Sequence, residues 1–176
     1  NFNEKIIPEA TQKKLEKQLV DNSKIGDVFY NIEYSGLDLA GNRYILKSAE
    51  AINNKDNQEL VQMKQVEAIF YFKDDTVLYV RSDEGLYNNI SLDMNFYGNV
   101  KANYEGSKLF AQKAEYSNTE SFLTITEDVK IKDIRGTMVA DKLLFDIKKQ
   151  TLNIASFNDG KINANVKLKW KKDLEF

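Results

Sequence analysis

An apolar side chain at every second position, sustained in run after run from Val28 to Trp170, is the feature that most constrains this chain. Successive side chains of a β-strand point to opposite faces, so a period of two builds a strand with one apolar face. Val66, Ala68, Phe70 and Phe72 alternate with Glu67, Ile69, Tyr71 and Lys73. Leu92, Met94 and Phe96 alternate with Asp93 and Asn95, Val100 and Ala102 with Lys101 and Asn103, and Val129 and Ile131 with Lys130 and Lys132. Ile162, Ala164, Val166, Leu168 and Trp170 alternate with Asn163, Asn165, Lys167 and Lys169. Turn-forming residues stand between the runs: Lys73-Asp74-Asp75, Asn88-Asn89, Tyr97-Gly98-Asn99, Glu105-Gly106-Ser107, Arg135-Gly136 and Asn158-Asp159-Gly160.

The runs repeat. Tyr87, Tyr116 and Phe145 follow one another at intervals of 29 residues, as do Met94, Leu123 and Leu152, and Phe96, Ile125 and Ile154. Val100 and Val129 keep the same interval. A unit of this length holds two strands and two turns, and it cannot cover its own apolar face. Stacked units bury a continuous strip and leave an open edge at each end. The expected fold is all-β: a folded-over antiparallel β-strand repeat, a β-jelly roll with a long apolar interior.

Before the strands, Pro8 suits a first helical position, and Leu15, Leu19 and Val20 form one apolar stripe between Glu9 and Val20. A helix of about 12 residues is marginal alone. Residues 1–27 therefore read as an N-terminal arm or short helix followed by a linker, and residues 28–176 as the β domain.

Composition narrows the chemistry. The chain has neither Cys nor His, which removes disulfides, thiolate sites, the commonest general base and the commonest metal ligand. A net charge of −2 provides no broad basic field for nucleic acid. No stretch approaches the ~18 consecutive apolar residues that a membrane-spanning helix needs. The sequence opens at Asn1 without a signal pattern, so a processed or truncated product is expected. No catalytic residue, metal or cofactor is expected.

Leu109-Phe110-Ala111-Gln112-Lys113-Ala114-Glu115-Tyr116, then Leu123-Thr124-Ile125-Thr126-Glu127-Asp128-Val129, follow a recognisable order: hydrophobic-x-Ala-x-x-(Ala/Gly)-x-aromatic, a strand, and an acidic or glycine-led Val. This order resembles the LptC and OstA-type (LptA) domains of lipopolysaccharide transport. Gly41-Asn42-Arg43-Tyr44-Ile45-Leu46-Lys47-Ser48-Ala49-Glu50-Ala51 resembles the first hairpin of LptC. The likeness runs from Asp27 to Trp170, in order and spacing rather than in one motif. The arm before the first strand favours LptC over the bridging protein LptA.

The resemblance implies a periplasmic protein beside an inner-membrane ABC transporter, tethered by an N-terminal membrane helix that this chain lacks. Such a protein holds the acyl chains of lipopolysaccharide (its lipid A part) inside a lipid-binding jelly roll. It passes them to an LptA-like bridging protein by edge-to-edge strand addition. The expected liners are Leu46, Phe70, Phe72, Leu78, Val80, Met94, Phe96, Val100 and Leu109, with Ala111, Leu123, Ile125, Val129, Met138, Ala140, Leu152 and Ile154. The expected docking edge is the last strand, with Ile162, Ala164, Val166, Leu168 and Trp170 on one face. An LptA-like bridge and a structural β-solenoid without lipid cargo are the alternatives.

Other candidates read more blandly. Asp74-Asp75, Asp83-Glu84 and Glu127-Asp128 are expected to be solvated turn residues, because neighbours on a strand point apart and cannot converge on a substrate or a Ca²⁺ ion. Gly98, Gly106, Gly136 and Gly160 read as turn glycines and not a phosphate loop, since no helix follows them. Lys167, Lys169, Lys171 and Lys172 form a basic end that would either meet lipid A phosphates or a partner, or guard an edge strand.

Overall fold

A computed structural model describes residues 25–155 and 166–169, the last four as backbone only. The antiparallel strands are β1 (Ile25–Leu37), β2 (Arg43–Asn54), β3 (Leu60–Tyr71), β4 (Val77–Asn88) and β5 (Met94–Tyr104), then β6 (Ser107–Ser117), β7 (Phe122–Asp133), β8 (Gly136–Asp146), β9 (Thr151–Ala155) and β10 (Val166–Lys169). They form one sheet in which every strand pairs with its neighbours in the chain. The all-β expectation holds. The N-terminal helix proposed for Glu9 to Val20 lies outside the described residues, as does the turn at Asn158-Asp159-Gly160.

Strands of 11 to 13 residues would reach about 40 Å if straight. They are not straight. Asn31, Gln65, Asn99, Glu127 and Asp128 all carry positive φ, between 47° and 69°, in mid-strand. Register ties these residues together. Asn31 of β1 lies opposite Ala49, Ala49 opposite Gln65, and Gln65 opposite Asp83. The line continues through bulges at Gly98-Asn99, at Gln112 and at Glu127-Asp128, and ends at Asp141 of β8. Bulges and left-handed residues bend a strand, and bends stacked on eight neighbouring strands crease the whole sheet. One fold line therefore turns a single sheet into two facing layers.

This crease corrects three readings. Tyr97-Gly98-Asn99 is not a turn between strands, because β5 runs unbroken through it from Met94 to Tyr104. The runs at Leu92–Phe96 and Val100–Ala102 do not form two strands: Met94 onward and Val100 onward are two halves of β5, and Leu92 sits in the preceding turn with φ 66°. Asp83-Glu84 and Glu127-Asp128 likewise lie at the crease of β4 and β7, not in turns. The physical reason is shared. Gly and Asn supply left-handed backbone wherever the chain needs it, and here the flanking strands keep pairing past the site. Gly98 has φ 75°, and a Cβ there would lie 3.3 Å from Asp83 Oδ2.

The 29-residue repeat is two strands. Tyr87, Met94, Tyr116, Leu123, Phe145 and Leu152 pair laterally as one row across β4 to β9, and all are buried. Phe96, Ala114, Ile125, Leu143 and Ile154 make the next row toward the crease, also buried. Repeat positions coincide with rows because two antiparallel strands return the chain to the same height on the sheet.

Candidate functional site: the interior between the layers

The two layers meet at a narrow angle along the crease, so side-chain size is graded across the interior. Beside the crease stand Ser48, Ala51, Ser82, Gly85, Ala111, Ala114 and Ala140. Gly85 is needed for space: a Cβ there would come within 3.0 Å of Val66 Cγ2 and of the Asn95 carbonyl oxygen. Ser48 Oγ is buried there without a hydrogen-bond partner, a small uncompensated cost in an otherwise apolar wall.

Farther from the crease the layers are spanned by aromatic rings. Phe70 of β3 meets Tyr116 of β6 at 5.1 Å, Tyr34 of β1 meets Tyr87 of β4 at 5.0 Å, and Tyr104 of β5 meets Phe145 of β8 at 5.3 Å. Each pair joins strand halves from opposite sides of the crease. Tilted and edge-on rings at such spacing add about 0.5–1.5 kcal/mol beyond area burial.

The margin opposite the crease is a seam between two rows of turns. At its N-terminal end the seam is clasped by buried polar groups. Leu39 N donates to Asn118 Oδ1 at 3.1 Å across the seam, and Tyr116 Oη donates to the same oxygen at 3.2 Å. Asn118 Nδ2 donates to the Ser91 carbonyl at 3.0 Å, and Asn118 N to Asp93 Oδ1 at 2.9 Å. Asp38 accepts from Asn42 N at 2.8 Å, holding the first turn rigid. The Tyr44 and Tyr87 hydroxyls bond across the interior at 3.0 Å. Burial raises the Tyr87 phenol above its ordinary range, with the Tyr44 hydroxyl adding to the shift. Burial also raises Tyr116, with the nearby Asp38 carboxylate next in effect.

Farther along, the seam weakens. Gln150 Nε2 reaches Asp74 Oδ1 at 3.3 Å and Thr76 Oγ1 at 3.4 Å, and the first of these bonds is exposed. The turns at 105–106 and 134–135 carry no cross-seam hydrogen bond to a described residue. Burial follows the same course. Along the interior row Leu46, Ala68, Val80, Ala102, Leu109, Ile131 and Met138, the first three are fully buried and the last is 39% exposed. Ile134, at the neighbouring turn, is wholly exposed. Inside the C-terminal half, between Leu78, Ala102, Leu109, Leu123, Ile125 and Ile131, lies a cavity of about 30 Å³. That is room for a water molecule or two and far less than an acyl chain needs, so the interior is closed as it stands.

All of the expected liners are buried except Met138, which stands at the C-terminal mouth. Sequence reading left out Tyr44, Tyr87, Tyr104, Tyr116, Ile131, Leu143 and Phe145, which are equally interior. The 29-residue spacing of Tyr87, Tyr116 and Phe145, in step with Met94, Leu123 and Leu152, was the signal that could have placed three of them. Asp38, Asn42 and Asn118 gave no signal, since nothing in a turn sequence tells which distant turn it will touch. Of the expected docking strand, Val166 and Leu168 lie on β10, paired with Ile154 and Leu152 of β9. Ile162, Ala164 and Trp170 lie outside the described residues.

Among the described residues no three Asp or Glu side chains gather as a metal site, and no helix is long and apolar enough to cross a membrane. No individual curated protein matches the chain. The family described as lipopolysaccharide-assembly, LptC-related, matches residues 6–162, most of the chain and nearly all of the creased sheet. The chain belongs to the LptC-related family of lipopolysaccharide-assembly proteins.

Proposed function

We propose that this protein carries lipopolysaccharide by holding its acyl chains between the two layers, entering and leaving through the C-terminal half of the seam. It receives the lipid from an inner-membrane ABC transporter. It passes it to an LptA-like jelly roll added at the outer edge of the last strand, β10, on the periplasmic side. The observation that carries the reading is the graded seam: a mainly apolar interior, clasped by hydrogen bonds at one end and, among the described residues, without them at the other.

Each methylene moved from water into such an interior contributes about 0.8 kcal/mol. Leu78, Leu109, Leu123, Ile125 and Ile131 supply a largely hydrocarbon lining in the C-terminal half, with the polar Tyr104 and Ser107 beside them. With a cavity of only about 30 Å³, binding requires the layers to part. The weak bonds from Gln150 to Asp74 and Thr76 are the ones to break first. Carriage rather than turnover is the activity this reading expects.

Locking the seam tests this. The chain has no cysteine, so Thr76→Cys with Gln150→Cys introduces two unique thiols that a short, cleavable bifunctional reagent can bridge. The bridged protein should lose lipopolysaccharide binding by tenfold or more, as read by native mass spectrometry, and regain it when the bridge is cleaved. Unchanged binding in the bridged protein would rule out entry through this seam. A protein that binds no lipid in any state would be a structural module instead.

A further inference from the structure

Among the described residues, the outer face of the sheet is charge-matched on one side and unmatched on the other. On the N-terminal side Lys47 stands between Glu33 and Glu67 in register, Arg81 pairs with Glu67 at 3.5 Å, and Lys64 pairs with Glu50 at 3.6 Å. Farther along, Lys108 of β6 lies directly opposite Lys132 of β7, and Phe110 sits in register between Lys101 and Lys130. All four lysines are exposed, and none has an ion pair with a described carboxylate. Lys132 Nζ lies 5.8 Å from the Phe110 ring centroid, which orients one ammonium without neutralising it. Like charges placed opposite one another in a sheet are destabilising. The nearest acid in sequence, Asp133, is engaged by Arg135.

Place matters as much as charge. Lys108 and Lys132 are each two residues from a turn, 105–106 and 134–135, on the stretch of seam that carries no cross-seam bond among the described residues. The exposed apolar residues Ile134, Met138 and Val139 adjoin them. A cationic rim around an apolar mouth matches an amphiphile with an anionic head, and a flexible lysine stem can reach over the rim as a point charge for phosphate.

We propose that Lys108 and Lys132, backed by Lys101 and Lys130, bind the phosphate groups of the lipid whose acyl chains occupy the C-terminal mouth. The inference rests on the interior being the acyl site, and it adds the element that selects the head group. Binding is to be measured for lipopolysaccharide and for the same lipid with its lipid A phosphates removed, using the parent protein, Lys108→Gln with Lys132→Gln, and a Lys47→Gln control. The parent should prefer the phosphorylated lipid by about tenfold, the worth of two charge-assisted contacts partly screened by water. The double variant should lose that preference while binding the dephosphorylated lipid as the parent does, and Lys47→Gln should keep it. A preference that survives in the double variant, or equal loss in Lys47→Gln, would overturn the assignment. So would lysine-dependent binding to anionic phospholipid vesicles that matches binding to lipopolysaccharide, because the site would then be a general anionic-surface contact. If neither lipid form binds the parent, the acyl reading itself falls and this one falls with it, whereas loss of head-group preference alone leaves the acyl reading standing.

Discussion

The two ends of the seam are both bounded by hairpin turns, long at 38–42 and 118–121 and two residues each at 105–106 and 134–135, and they are held together differently. At the N-terminal end three turns converge on Asn118, and Tyr44, Tyr87, Met94 and Tyr116 behind them are buried. At the C-terminal end the facing turns exchange, among the described residues, the long bonds of Gln150 and then none. The difference is not one of apolar content, since Leu46 and Leu109 occupy the same lateral row. It comes from the offset between layers. The first turn of one layer meets the β6–β7 turn of the other, and β3–β4 meets β8–β9, so the last turns of the first layer run past the described end of the second. If the protein carries lipid as proposed, it needs one end that stays folded while the other yields, and the offset crease leaves one end hydrogen-bonded and the other without such bonds among the described residues.

Removing core methylenes should expose this contrast most strongly. Leu46→Ala, in the clasped half, should cost about 3–4 kcal/mol, and Leu109→Ala, beside the existing cavity, about 2 kcal/mol, since a looser site collapses more easily. Chemical denaturation of the two variants measures it, and equal losses would mean that the two halves are equally tight. Asn118→Ala comes next. It removes the acceptor shared by the half-buried Leu39 N–H and the buried Tyr116 hydroxyl, and about 2 kcal/mol is expected. Hydrogen exchange should then show β1, β2 and β6 opening together. If only β6–β7 opens, the clasp does not couple the layers.

Alkaline pH offers a smaller, signed effect. Tyr87 and Tyr116 keep their protons in the folded chain to higher pH than the ordinary phenol value of 10.0. Above that value the unfolded chain releases these protons first, so stability is complete below about pH 10 and declines as pH rises beyond it. Thermal unfolding followed from pH 8 to 11 should show the decline, and Tyr87→Phe should flatten it. A flat parent profile would refute a buried phenol. The smallest effect is expected at the crease. Gln65 holds φ 53° in mid-strand, and Gln65→Gly should stabilise by about 0.5–1 kcal/mol through relief of backbone strain, read as a rise in the unfolding midpoint. A loss would mean that the Gln65 side chain contributes more than its backbone costs.

The strand runs, their apolar faces and the pairing of repeat units were legible because each depends on neighbours within one or two strands. Alternation at Val66 to Phe72 states which face is buried, and the 29-residue interval states which residues share a row. The turn at Glu105-Gly106 was legible for the same reason. Gly98-Asn99 was misread because its residues permit left-handed backbone without stating whether the chain then reverses or only bends. That is decided by β4 and β6, which pair with β5 on both sides of the bend.

The sequence by itself determined a one-faced antiparallel sheet and which face of its clearest runs lies inside, because side-chain periodicity is a property of the backbone alone. The tertiary structure decided where the sheet creases, how far the two layers are offset, and which turns meet across the seam. Those depend on contacts between residues as distant as Leu39 and Asn118. No local pattern encodes such a meeting. The clasped end, the yielding end and the unmatched lysines beside it become visible only when the sheet is folded over.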